Sequence, residues 1–150
     1  MMLDRLLGND WIFDDFSSKE LAQLANAMRE RQVFSGEVLV LEDERPDRLF
    51  IVLEGAVEVS RSADGGERVL AILGPGAMFG MVALLDRGRR AATCVARGVG
   101  RVAEMPRDAF DLLYQSNAPL ADKFQYAIAR QLARDVKQMT RVLLAEALGE

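Results

Sequence analysis

The sequence predicts a mainly β protein with flanking helices (α+β), built on a small β-barrel or jelly roll. Three observations carry that expectation. Turn signals recur about every ten residues from Arg31 to Met105, the beat of short antiparallel strands. A helix-start signature precedes that region, and apolar residues three and four apart follow it. The chain has 150 residues, 50% hydrophobic and 28% charged, enough to bury a core without disulfide or metal staples. A single domain over 1–150 is expected, with the barrel at about 31–105 and C-terminal helices at about 106–148.

The elements follow in order. Ser17-Ser18-Lys19-Glu20 reads as a capping box, and Leu21, Leu24, Ala25 and Met28 extend it into an amphipathic helix over 18–31. Trp11, Phe13 and Phe16 ahead of it form a packing anchor. Turns are expected at Ser35-Gly36, Asp43 to Pro46, Gly55, Asp64-Gly65-Gly66 and Gly74-Pro75-Gly76. Between them, Val38 to Leu41, Leu49 to Leu53, Val57 with Val59, and Val69 to Leu73 read as strands. Ala92 to Ala96 and Gly100 to Met105 read as two closing strands. Pro106 suits the start of a short helix to Asn117, and Pro119 opens a longer one. Along that helix Phe124, Ile128, Leu132, Val136, Met139 and Leu143 form a stripe. About 30 helical residues span about 45 Å, more than one small barrel covers, so the stripe predicts a homodimer seam.

Composition excludes much chemistry. The chain has no histidine, which removes imidazole metal sites and Ser-His or Cys-His nucleophiles. Its single cysteine, Cys94, forms no intramolecular disulfide, fits a reducing compartment and reads as a small buried hydrophobe. The net charge of −4 disfavours nonspecific nucleic-acid or anionic-membrane binding. No apolar run approaches the roughly 20 residues of a membrane span, so a cytoplasmic protein that does not act at membranes is expected. No acidic spacing suggests a Mg²⁺ or Ca²⁺ loop, and the cupin enzymes that share a β-barrel need histidines. No metal, cofactor or catalytic residue is expected; the protein reads as a non-enzyme.

The segment Phe79-Gly80-Met81-Val82-Ala83-Leu84-Leu85-Asp86-Arg87-Gly88-Arg89-Arg90-Ala91-Ala92-Thr93 carries the functional signal. A glycine, a short apolar helical turn, an arginine-bearing loop and a strand can make a phosphate cradle. Backbone N–H groups at the turn's start point at an anion, and an arginine supplies a fork of donors. The alternative is a plain turn between strands with solvated arginines.

Phe79-Gly80-x-x-Ala83-Leu84 followed by Arg90-Ala91-Ala92-Thr93 resembles the phosphate-binding cassette of cyclic nucleotide-binding domains of the catabolite-activator and protein kinase A regulatory-subunit type. Leu49 to Leu53, Glu54-Gly55 and Ala56 to Val59 resemble the family's central strands and their glycine turn. The resemblance covers roughly residues 17–145. It implies an eight-stranded jelly-roll barrel with an N-terminal helix and a long C-terminal helix. It also implies a regulatory module whose ligand is cyclic AMP or cyclic GMP. The cassette arginine that pairs with the cyclic phosphate matches Arg90, with Arg89 beside it. Backbone N–H groups from Gly80 to Val82 and at Ala91 would complete the phosphate site, next to Ala83. Arg134 or Asp135 on the long helix would face the base; the alternative for both, as for Lys123 and Arg130, is a solvated charged face.

Two departures stand out. The family's glutamate for the ribose 2'-hydroxyl falls at Met81, and Asp43-Glu44-Arg45-Pro46 replaces a loop that often carries glycine. Loss of a charged hydrogen bond costs about 1.5–3 kcal/mol, a roughly 10- to 100-fold weakening. Three readings stay open: weak cyclic-nucleotide binding through Arg90, a different anionic ligand without a ribose, or a degenerate barrel kept for dimerisation or protein contact. The expected partners are a second copy through the C-terminal helix, a small anionic ligand and an unidentified downstream protein. Because the chain stops at Glu150 with no helix-turn-helix after the long helix, a stand-alone domain without direct DNA binding is expected.

Overall fold

Two long strands form the spine of the molecule, and the rest of the sheet is arranged along them. In the computed structural model, which describes residues 2–81 and 88–149, these are β3 (Arg48–Ala63) and β6 (Thr93–Pro106). The remaining strands are β1 (Arg29–Val33), β2 (Val38–Val40), β4 (Gly66–Leu73) and β5 (Met78–Phe79). The helices are α1 (Met2–Gly8), α2 (Ser18–Asn26), α3 (Arg107–Ser116) and α4 (Ala118–Ala147), with a 3-10 turn at Trp11–Phe13.

The pairing resolves the strand count. The first half of β3 pairs with the second half of β6, Leu49 opposite Met105, and the flanking partners there are β5 and β1. The second half of β3 pairs with the first half of β6, Val59 opposite Cys94, and the flanking partners are β4 and β2. Splitting each long strand at its bend therefore gives eight strands in two four-stranded layers, a jelly roll. The expected eight appear as six because the chain bends without losing its ladder. The bend lies where register shifts on either side of Glu54. Gly55 there has φ +85°, and a Cβ on it would lie 3.2 Å from the Gly100 Cα. A Cβ on Gly100 would collide with the Glu54 carbonyl oxygen.

The apolar run Leu49 to Leu53 is continuous because both faces of that strand are covered. Phe50 and Val52 join Val33, Val57, Phe79 and Val102 between the two layers. Leu49, Ile51 and Leu53 face a second core built with α1, α2, α3 and α4, including Leu3, Leu24, Phe110 and Phe124. The strand thus separates a barrel interior from a helical cap.

The Ser17 capping box forms: the Glu20 N–H donates to Ser17 Oγ at 3.1 Å, and the Ser17 N–H donates to Glu20 Oε1 at 3.0 Å. α2 nevertheless ends at Asn26, five residues before the expected end at residue 31. Arg29 to Val33 are drawn into a ladder with Gly100 to Glu104, so the barrel begins at Arg29 rather than residue 31. Met28 keeps its buried place from the predicted stripe. Tertiary pairing here outweighs local helical period.

α4 runs 30 residues, and Asn117 caps it by accepting the Leu120 N–H. Phe124 and Ile128 of its stripe are buried, whereas Val136, Met139 and Leu143 are exposed. Among the described residues no helix is long and apolar enough to cross a membrane.

Gly100→Ala is expected to lower stability by about 1–3 kcal/mol through overpacking at the bend. Urea unfolding measures it; a variant as stable as the parent would show that the two strands do not need this close approach.

Candidate functional site

The site is organised by one turn and one arginine. β5 delivers Phe79 into the barrel, where its ring stacks on Phe50 with centroids 5.0 Å apart. The chain then turns at Gly80, whose φ of +79° lies in the left-handed region. A Cβ at Gly80 would lie 2.8 Å from an Arg90 guanidinium nitrogen and 3.2 Å from the Arg48 carbonyl oxygen. Glycine therefore serves twice, for the backbone angle and for the approach of Arg90.

Arg90 is 5% exposed. Its Nη1 donates to the Gly80 carbonyl and its Nη2 to the Arg48 carbonyl, each at 2.5 Å. Its own backbone is clamped as well. The Arg90 N–H donates to the Glu44 carbonyl, and the Asp43 N–H donates to the Arg90 carbonyl, both at 2.9 Å. Asp43 holds φ at 70°, the one non-glycine residue with positive φ among the described residues, at the loop where the resembled family often carries glycine. Aspartate tolerates that region better than most side chains.

No carboxylate among the described residues forms an ion pair with Arg90. Burial pulls its pKa down, and the field of Asp47 opposes the shift; an arginine remains protonated regardless. Asp47 itself is engaged by Arg48 at 2.9 Å, and that hydrogen bond holds its carboxyl below the usual aspartate range. The result is a buried cation satisfied by two carbonyls, which take two of the five N–H donors a guanidinium carries.

The other expected site residues fall into three groups. Arg89 is exposed, donating to the Asp43 carbonyl at 2.7 Å, and Ala91 is exposed next to Arg90. Met81 is 4% exposed and packs in the helical core with Phe110, Leu113 and Phe124. Its thioether is a core contact and offers no acceptor to a ribose. Val82 and Ala83 lie outside the described residues. Arg134 and Asp135 bond neither to the Gly80 turn nor to Arg90. Arg134 instead grips Asp10 at 2.6 and 3.3 Å and lies over the Trp11 ring at 5.2 Å, while Asp135 accepts from Gln131 Nε2 at 2.9 Å.

Lys123 and Arg130 share Arg134's role. Lys123 pairs with Glu20 at 2.9 Å and Arg130 with Asp15 at 3.2 Å. Sequence reasoning placed these cations on a solvated face; they clamp α4 to the N-terminal segment. It also passed over Glu104, buried beside Arg48 at 3.3 Å and Arg31 at 3.4 Å with Oε2 lacking a hydrogen bond. A lone carboxylate between Ala103 and Met105 in an apolar strand was the available signal. Glu104 borders a cleft of about 660 Å³ between Met28, Arg48, Pro106 and Asp108. Cys94 is buried, and burial pushes its thiol up to about 11 despite the Arg90 charge. Among the described residues no cluster of three acidic, cysteine or histidine side chains is placed to hold a metal ion.

A family model of the cyclic nucleotide-binding domain matches residues 30–117. The CRP-like cAMP-activated global transcriptional regulator of Mycobacterium tuberculosis is 27% identical over 148 residues, 98% of this chain. The cAMP-dependent protein kinase regulatory subunit of Mycosarcoma maydis is 36% identical over 107 residues, 68% of this chain. The chain spans 66% of the mycobacterial protein's length and 20% of the fungal one's. A solved cyclic nucleotide-binding domain from Methylobacillus flagellatus matches with a TM-score of 0.89 and 26% identity, over 99% of this chain and 84% of that one.

The Asp10–Arg134 pair has a pH signature. Burial pushes the Asp10 carboxyl up, but the bonds from Arg134 and the Ile12 N–H outweigh it, and the net shift is downward. Its contribution is therefore present above about pH 4 and lost as pH falls through the depressed value. Asp10→Asn is expected to cost about 0.5–1 kcal/mol at pH 7 for this partly exposed pair. By urea unfolding the gap should narrow as pH falls below about 4; a gap that does not change with pH would contradict the pair's role.

Proposed function

The chain belongs to the cyclic nucleotide-binding domain family, and from that premise we propose that it is a regulatory module that senses an anionic ligand, a cyclic nucleotide held by its phosphate. The observation that carries this reading is Arg90, a buried guanidinium with no carboxylate counter-ion among the described residues. Isolated charges are costly to bury, and a phosphate supplies the missing negative charge with oxygens matched to the arginine fork. Three of its donors remain after the Gly80 and Arg48 carbonyls are served. The relatives whose names bear on ligand are a cAMP-activated transcriptional regulator and a cAMP-dependent kinase regulatory subunit. Both are regulatory proteins, in keeping with a role in binding rather than catalysis.

The ligand would act through packing. Met81, directly after the Gly80 turn, shares a core with α3 and α4, so a rearranged cassette has to repack against those helices. Binding would bias a pre-existing equilibrium of helix positions, read by a partner protein. Calorimetric titration with cyclic AMP and cyclic GMP tests the reading. Saturable binding is expected in the parent, and Arg90→Lys, which loses the bidentate fork, should weaken it about 10-fold or more. Absence of heat at millimolar nucleotide would reject the cyclic-nucleotide version. The burial of Met81 favours a second reading, an interaction module that needs no ribose-bearing ligand, and that outcome would support it.

We further propose that the distal half of α4 pairs with a second copy. Val136, Met139, Val142, Leu143 and Leu144 are all exposed there, and Val69, Leu70 and Ile72 are exposed on edge strand β4. The Arg68–Glu146 contact at 3.5 Å links β4 and the distal end of α4 at one point. Such a patch is rarely left open on a monomer. Light scattering at micromolar concentration should give a dimer for the parent and a monomer for the double variant Val136→Glu, Leu143→Glu. A monomeric parent would overturn the seam.

A further inference from the structure

Arg48 stands at the junction between the cassette arginine and two carboxylates. β5 ends at Phe79, opposite Phe50, so the Arg48 carbonyl lies past the end of that short ladder. Arg90 meets it instead, donating from Nη2. The Arg48 side chain is engaged elsewhere. Its Nε and Nη2 donate to Oδ1 and Oδ2 of Asp47 at 3.2 and 2.9 Å, a bidentate fork on its own chain neighbour. Its Nη1 lies 3.3 Å from Oε2 of Glu104, whose side chain is 4% exposed. Glu104 in turn lies 3.4 Å from Arg31, which is paired with Glu37 at 2.6 Å. A run of alternating charges, Glu37, Arg31, Glu104, Arg48 and Asp47, thus crosses β1, β6 and β3 and ends at Asp47.

The fork between Arg48 and Asp47 does little for the fold itself. It joins chain neighbours and so ties no two elements together, and the Asp47 side chain is 67% exposed. Exposed pairs of that kind add little stability. What the fork decides is where the Asp47 carboxylate points. On Arg90, burial is the largest influence and the field of Asp47 the next, with Glu44 behind both. In the other direction, Asp47 is held down chiefly by the hydrogen bond from Arg48, and the field of Arg90 adds to it. The two groups therefore sense each other without pairing. Asp47 spends both oxygens on Arg48, and Arg90 spends two donors on carbonyls. A buried guanidinium with donors to spare attracts any free carboxylate in reach, and a carboxylate there would take the place of a phosphate.

We infer that Arg48 is a positioning residue for the cassette: by holding Asp47 in its fork, it keeps Arg90 from closing on an acid of its own chain and leaves the spare donors to a ligand's phosphate. Glu104 sets the direction of that fork. Its Oε2 makes no hydrogen bond, so it acts on Arg48 by charge rather than by an aligned donor. The buried carboxylate draws Nη1 of Arg48 inward and leaves the Nε–Nη2 edge facing Asp47. The inference rests on the reading of Arg90 as the phosphate contact, and adds the residue that protects that contact from a competitor in the same chain.

Two measurements on the full chain separate the inference from its premise. The first needs no ligand: carbon-13 NMR follows the Asp47 carboxyl as pH falls. It should titrate below the ordinary aspartate range in the parent and remain there in Arg48→Gln, because Arg90 replaces Arg48 as its partner. A return to the ordinary aspartate value in Arg48→Gln would overturn the inference. The second is calorimetric titration with cyclic AMP. Arg48→Gln should weaken binding about 10-fold or more, and Asp47→Asn in that background should restore it to within about threefold of the parent. Unchanged binding in Arg48→Gln, or a loss that Asp47→Asn does not restore, overturns it as well. A parent that binds no cyclic AMP rejects the cassette reading, while the Asp47 titration still decides whether Arg48 holds that carboxylate away from Arg90. Arg48→Met, uncharged and of similar reach, carries both measurements if the glutamine variant does not fold.

Discussion

The structure around the site depends on a charge that has been taken out of water. Arg90 is nearly inaccessible, and a guanidinium in that position is tolerated only if its donors are met. Two of them are met by main chain, the Gly80 and Arg48 carbonyls, while the arginine's own peptide group is held by bonds with Glu44 and Asp43. One residue thereby joins the cassette turn and the start of β3 through its side chain and the 43–47 loop through its backbone. Glycine at residue 80 is a consequence, since any Cβ there would occupy the guanidinium's place. So is the left-handed Asp43, whose backbone has to present its N–H to the Arg90 carbonyl.

Around this joint, β3 divides two hydrophobic compartments and obliges each to respond to the other. Phe50 and Phe79 stack inside the barrel, while Leu49 and Ile51, one residue away on the strand, support the helices. Close-packed interiors do not deform smoothly; they exchange one arrangement for another. Met78 and Met81 stand on either side of the Phe79-Gly80 turn and both pack in the helical compartment. Thioether side chains adapt to irregular gaps more readily than branched ones, which suits a contact expected to repack. Met81 is therefore intelligible as a joint between cassette and helices even though it cannot accept a ribose hydroxyl.

Much of this was legible in the sequence, and what was not shares a physical origin. The Ser17–Glu20 box is local, so its residues announce it. The strand rhythm was legible because glycines mark the turns, and the Gly80–Arg90 spacing because the resembled family uses it. The strand count blurred because Gly55 and Gly100 bend the ladder without breaking it. The end of α2 was misplaced because Arg29 to Val33 obey partners some 70 residues away in β6. The Arg134–Asp10 pair was not legible because its partners are 124 residues apart and nothing local marks the pair. Glu104 left a faint trace, a single carboxylate in an apolar strand, whose meaning depends on Arg31 and Arg48 arriving from two other strands.

The same ion pairs explain where α4 is held and where it can respond. Lys123, Arg130 and Arg134 fall on one side of the helix and fasten its first half to Glu20, Asp15 and Asp10. Leu120, Phe124 and Ile128 bury the adjoining face over that same stretch. Beyond Arg134 the helix is exposed, and its one ion pair to the rest of the described chain is Arg68–Glu146, between two exposed side chains. Pairs of that kind contribute at most about 1 kcal/mol. α4 is thus anchored firmly over its first half, in the core that Met81 shares, and weakly over its second. The exposed stripe beyond Arg134 is the surface that the proposed second copy would cover, and it begins where the anchoring ion pairs end.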